Sequence, residues 1–180
     1  MKKLGFFVFT LILFFTLSAC AFFSEEENVV FSLPCEFNGQ TVESFLLLYT
    51  DGIHQNTLSS AEKVFPAQKI TLTLSKNSTA AILAYPIIDG KKEKPLGCIY
   101  PYSNEIQIEN GFSASILYTL YLSSSDNPKQ LQDYLARFNW ERFMDCISEI
   151  QDPWQLDTER ILQKIASGKF KKNDLKLKPN

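Results

Sequence analysis

The sequence predicts an α+β fold, a small antiparallel β-sandwich followed by a C-terminal helical segment of three to four short helices packed on it. Three observations carry this. Asn38-Gly39, Asp51-Gly52 and Asp89-Gly90 punctuate strand-forming runs as far as about Glu109. The apolar period changes after Gly111. Beyond it, Asn127-Pro128, Asn139 and Asp157 each precede apolar residues spaced by three and four, which is how capped amphipathic helices read. A chain of 180 residues suffices for one compact domain with a real core, but not comfortably for two large ones.

The strand runs are Val29–Phe37, Thr41–Thr50, Ile70–Leu74, Thr79–Ile88 and Leu96–Tyr100. Asn-Gly and Asp-Gly tolerate the positive φ angles that tight hairpins demand. Ile70, Leu72 and Leu74 alternate with Thr71 and Thr73, giving one apolar and one wet face, and Ile106 and Ile108 repeat the pattern around Gln107. Asn77-Ser78-Thr79 fits a glycosylation triplet but reads here as a turn between strands. Residues 29–110 form the expected sandwich.

Residues 111–168 form the expected helical part. Phe112–Leu122 is apolar along its length and needs cover on more than one side. Asn127 caps a helix with Pro128 at its first position, reaching about Phe138. Asn139 caps another, carrying Trp140, Phe143, Met144, Ile147 and Ile150, which Asp152-Pro153 breaks. Asp157 caps the last, with Ile161, Leu162 and Ile165, and Gly168 stops it. Each later helix has one apolar stripe, so together they are expected to lie over Phe112–Leu122 and an open sheet face. Trp140, Phe143, Ile147, Trp154 and Ile161 would then be consumed by packing.

The N-terminus has a different logic. Lys2 and Lys3 precede an uncharged apolar run, Leu4–Leu17, the charged and hydrophobic regions of an export signal. An uncleaved membrane helix is the competing reading, since Leu4–Phe23 is nearly uninterrupted. Leu17-Ser18-Ala19-Cys20 favours the signal, because it resembles the lipobox of bacterial lipoproteins. That resemblance covers about the first twenty residues. It implies cleavage between Ala19 and Cys20, a diacylglyceryl thioether on the Cys20 sulfur and usually a third acyl chain on its amino group. Two or three chains make a stable anchor where one is marginal. Residues 1–19 are then the signal and 20–28, with Ser24-Glu25-Glu26-Glu27-Asn28, a solvated lipidated tether. Cleavage takes Lys2 and Lys3 from the 18 basic residues, leaving 16 against 20 acidic ones, a formal charge of −4. That balance gives no reason to expect nucleic acid.

Cys35, Cys98 and Cys146 remain after Cys20, an odd number, so at most one internal disulfide forms. Cys35 and Cys98 are the expected pair, both lying in strand-like runs, with Cys146 a buried free thiol beside Phe143 and Ile147. No C-x-x-C pair exists and His54 is the sole histidine, so no metal is expected; nor is a cofactor.

Chemistry is sparse. His54 lacks a recognisable nucleophile frame and reads as a hairpin-loop residue. Glu141, Asp145 and Glu149, at steps of four and near Arg137 and Arg142, read as a solvated helix side rather than a carboxylate pair for glycoside chemistry. Tyr85, Tyr100, Tyr102 and Trp154, with Trp140, are the candidates for a platform that stacks sugar rings or a proline-rich peptide, against the plainer reading of core packing. Residues 169–180 carry five lysines against Asp174 and read as a solvated basic tail, with contact to an anionic surface such as phospholipid or cell-wall polymer the alternative. Arg137-Phe138-Asn139-Trp140-Glu141-Arg142-Phe143 with Asp152-Pro153-Trp154 and the following helix resembles the C-terminal part of uncharacterised spirochaete (Treponema-like) envelope lipoproteins, which implies no activity. The expected role is a lipid-anchored envelope protein with a structural or protein-interaction function. A sugar- or peptide-binding lipoprotein is the alternative, and an envelope hydrolase a third.

Overall fold

The computed structural model describes residues 25–57, 64–124 and 126–178; Ala19, Cys20 and the export segment lie outside them. Among the described residues the fold is α+β, with antiparallel sheets and four α-helices. No helix among them is long and apolar enough to cross a membrane.

Strand β1 (Glu26–Ser32) is the first partner of a two-stranded ribbon. It pairs with a strand farther along, Lys69–Ser75, in a register running from Glu26 opposite Ser75 to Ser32 opposite Lys69. β2 (Glu36–Phe37) and β3 (Gln40–Thr41) make a small hairpin. Next come β4 (Ser44–Thr50), β5 (Gln55–Thr57), β6 (Lys69–Ser75, the ribbon partner), β7 (Ala80–Ile88), β8 (Lys91–Lys92) and β9 (Leu96–Tyr100). β5, β4, β7 and β8 lie side by side in that order, and β9 joins β7 beyond the short β8 pairing. Asn38 and Gly39 have φ of 50° and 76°, and Asp89 and Gly90 49° and 69°, so both turns take the two consecutive positive φ angles for which the hairpin dipeptides were read.

β7 is central and apolar throughout, as a strand covered on both faces should be. Ala80, Ile82 and Ala84 meet the ribbon through Val29, Phe31, Leu72 and Leu74, together with Phe45 and Leu47 of β4. Ala81 and Leu83 face the helices. The helical layer begins with α1 (Ile108–Ser123), which lies against β9 and β7 and beneath later helices. Two glycines set its distance from the sheet. A Cβ on Gly111 would stand 1.9 Å from the Pro95 carbonyl oxygen, and one on Gly97 2.9 Å from both the Ala114 Cβ and the Ile82 carbonyl oxygen. Only bare backbone permits this approach.

α2 (Pro128–Leu135), α3 (Trp140–Ser148) and α4 (Thr158–Ala166) complete the layer. The caps are those the sequence implies: Asn127 accepts from Gln130 N, Asn139 from Arg142 N and Asp157 from Arg160 N. Trp140, Phe143, Ile147 and Ile161 are buried. The Trp140 indole Nε1 donates to the Leu135 carbonyl at 3.3 Å, which satisfies the one polar atom that side chain brings into the core.

Four expectations need correction. Glu26–Asn28 belong to β1, paired with Thr73–Ser75, and are not a solvated tether; the outward-facing acids of an edge strand look like a charge run. The helix begins at Ile108 rather than after Gly111: Gln107 bridges Gly97, and Gly111 is a contact residue inside the helix and not its boundary. Residues 169–178 are not a free tail. Phe170 packs edge-on to Phe138 and Phe143 with centroids 5.7 and 5.5 Å apart, Asp174 is buried, and Leu177 bridges Leu156. Finally, Cys35, Cys98 and Cys146 are all free, so the Cys35–Cys98 disulfide is not formed. Cys35 is exposed between β1 and β2 while Cys98 is sealed under the ribbon, where burial pushes its thiol up to about 12 and leaves it inert as a nucleophile.

Candidate functional site: a cleft beside Trp154

Between α1 and the end of α3 lies a cleft of about 890 Å³, within the range that binds small molecules or a short peptide stretch. One wall is the first turn of α1, with Ile108 and Glu109; the other is the end of α3 and the 3-10 turn Pro153–Gln155. Asp152 positions that turn by accepting from Trp154 N at 3.2 Å, so the sequence element that breaks α3 also aims the indole. Trp154 is half-buried, with one edge against Phe112 at 5.2 Å between centroids. Leu177 closes the far side, held by the Leu156 bridge and by Lys178 N donating to the Gln155 carbonyl at 3.0 Å.

Ile108 and Leu177 are 52% and 61% exposed, an unusual degree for large aliphatic side chains flanking an indole. Lys94 Nζ lies 3.3 Å from Asp152 Oδ1 across the rim. Partial burial pushes the Asp152 carboxyl upward, but Lys94, Trp154 N and Gln155 together hold it below the usual carboxylate range. The lining thus combines apolar walls with the carboxamides of Gln151 and Gln155, which can pair with the main chain of an extended peptide. Trp154 is therefore not consumed by packing, unlike Trp140 and Phe143.

The remaining stacking candidates do not join it. Tyr85 is half-buried on the helical side, with Lys92 Nζ 4.7 Å from its ring centroid. Tyr100 packs against the ribbon-side core. Tyr102 lines a separate shallow pocket with Glu141 and Asp145, and Glu149 pairs instead with Lys172 at 3.0 Å. The four aromatics occupy four places and form no common platform. Reading the sequence missed Ile108 and Leu177. Leu175 and Leu177 alternate with Lys176 and Lys178, a strand-like signal hidden by the lysine count.

At the opposite end of α1, His54 has the carboxylate its sequence context did not reveal. Its Nδ1 lies 3.2 Å from Asp51 Oδ2 and its Nε2 3.5 Å from Glu26 Oε1. The imidazole thus spans two carboxylates and addresses no nucleophile. Asp51 is fully buried and also accepts from Ile53 N, His54 N and Ser75 N. Burial, the largest influence, raises its pKa, but these donors together outweigh it and hold the carboxyl below the usual carboxylate range. This is a structural clamp joining β4, β6 and, through His54, β1. Among the described residues no group of three or more His, Cys, Asp or Glu side chains is placed to hold a metal ion. Comparison with protein-family models, with curated proteins and with solved structures finds no match.

Proposed function

We propose that this chain is a lipid-anchored envelope protein, held through acylated Cys20, that binds a segment of another envelope protein in the Trp154 cleft. The ribbon over the five-stranded sheet serves as a small β-sandwich frame, and the helices packed on it carry the recognition surface. The observation that supports this reading is the position of the cleft. β1 begins at Glu26, so five residues link it to Cys20 and span at most about 18 Å. The ribbon end is therefore held close to the lipid. That same end carries Asp51 and Ser75, and Tyr121, near the C-terminus of α1, donates from its hydroxyl to the Thr79 carbonyl beside it at 2.6 Å. Ile108 opens the other end of α1, about 20 Å away along the axis. The cleft thus faces away from the anchor, where a partner can reach it.

A photocrosslinker placed at Leu177 in cells, compared with one at Val30 on the exposed face of the ribbon, tests the reading. The expected result is a discrete adduct from Leu177 that Trp154→Ala removes, no such adduct from Val30, and release of the protein from membranes by Cys20→Ser. Equal adducts from both positions, or unchanged fatty-acid labelling of Cys20→Ser, would overturn it.

A further inference from the structure

A second basin, of about 410 Å³, lies between α2, α3 and the C-terminal segment, separate from the Trp154 cleft. Its floor is aromatic. Phe143 is buried, and Tyr134, Phe138 and Phe170 are half-buried around it, with ring centroids 5.5–6.0 Å apart in tilted and edge-on pairs. Such rings present their faces and edges as a firm apolar surface at low entropy cost.

Its rim is cationic. Arg137, Arg142, Lys171 and Lys172 all line it and are exposed. Among the described residues only Lys172 of these four has a carboxylate partner, Glu149. Two guanidinium groups and a free ammonium over an aromatic floor stand out on a chain with a formal charge of −2. Like charges gathered on one rim repel one another unless an anion enters. Guanidinium forks match a planar carboxylate or a phosphate in two parallel hydrogen bonds.

We propose that this basin binds a small amphipathic anion, a carboxylate or phosphate head on an alkyl or aromatic body. The head is held by Arg137, Arg142 and Lys171, and the body lies over Phe138, Phe143 and Phe170. Its volume of about 410 Å³ suits one chain or ring. The anion is either free in the envelope or the headgroup of a bilayer lipid; the chemistry is common to both.

The probe is 11-(dansylamino)undecanoate, whose emission rises in apolar surroundings, titrated into the full chain held in phosphatidylcholine nanodiscs, with empty nanodiscs as background. We expect saturable one-to-one binding, at least tenfold weaker for the matching neutral alcohol. Arg137→Glu with Arg142→Glu should lose at least tenfold, and Arg137→Lys with Arg142→Lys less; circular dichroism of both variants should match the parent, since both positions are exposed. Phosphatidylglycerol nanodiscs distinguish the sources: competition that disappears in the double Glu variant places the anion in the bilayer, and none places it free in the envelope. Equal affinity for acid and alcohol, or no effect of the double Glu variant, would overturn the proposal. So would binding to phosphatidylglycerol nanodiscs that depends on the arginines without any binding of the soluble probe, which would make the basin a patch on an acidic-membrane contact.

Discussion

The two faces of the five-stranded sheet are both covered, but in different ways. The ribbon face is closed by strand alternation: Val29, Phe31, Leu72 and Leu74 of β1 and β6 meet Phe45, Leu47 and Ile82, and the seven-residue register leaves the ribbon only one way to sit. The helical face is closed by volume, with Phe112, Leu117, Leu120, Trp140, Phe143 and Ile161 filling the space between cylinders. Strands paired edge to edge seal their layer. Helices meeting at angles leave grooves where their ends and loops converge, and both the Trp154 cleft and the cationic basin lie there. The β part therefore acts as a frame, and the two hollows proposed as binding surfaces lie among the helices.

Removing volume from the helical face is the most severe way to break this arrangement. Trp140 is fully buried and contacts Phe138 and Phe143 at 4.6 and 5.7 Å between centroids. Trp140→Ala should cost about 3–5 kcal/mol. Because α1 touches both the sheet and α3, the loss should lower the midpoint of a single denaturant transition for the whole chain. Two transitions, with only one shifted, would show the helical layer to be an independent unit, and the frame would no longer explain where the cleft lies.

The ribbon face has a smaller and more chemical weakness, at Asp51. The carboxylate accepts from Ile53 N and His54 N of its own loop and from Ser75 N of β6, and its folded pKa lies below the ordinary 3.8. A depressed carboxylate stabilises above its unfolded value, and that stabilisation fades as pH falls through the folded value. Asp51→Asn should cost about 1–3 kcal/mol near neutrality. The gap between the parent and this variant should hold above about pH 5 and close as the solution is acidified below 3.8. A gap that persists unchanged at pH 2 would mean that the loss is one of shape and not of charge.

The elements that the sequence made legible were those whose signal is local. Asn38-Gly39 and Asp89-Gly90 name their own turns, and Asn127, Asn139 and Asp157 name three helix starts, because a cap or a positive φ is decided within four residues. What was missed depends on distant partners. Gly111 reads as the point where the apolar period changes until Pro95 is known to lie against it. Glu26 and Glu27 read as a tether until β6 is known to pair with them. Leu177 reads as part of a basic tail until Leu156 is known to face it, so one wall of the candidate site was invisible. His54 was legible as a histidine in a turn, but not as a bridge between Glu26 and Asp51, which are 25 positions apart.

The finest test of the comparison lies at the helix caps, where two helices of the grooved face differ in how much a local hydrogen bond supports. Asn139 accepts from Arg142 N at 2.8 Å, and the helix it starts buries Trp140, Phe143 and Ile147. Asn127 accepts from Gln130 N at 3.3 Å, and the helix it starts holds Leu131 and Leu135 against the core. A cap contributes by satisfying one backbone donor, typically about 1 kcal/mol, but the loss is felt in full only where fraying would expose packed side chains. Asn139→Ala should therefore lower stability by about 1 kcal/mol and Asn127→Ala by less, with Asn139→Asp close to the parent because aspartate caps as well as asparagine. Amide exchange should locate the effect, quickening at Glu141–Phe143 in Asn139→Ala while β4 and β7 keep their protection. If the sheet amides quickened equally, the cap would be coupled to the frame, and the division between a sealed face and a grooved one would be a matter of shape without a matching difference in stability.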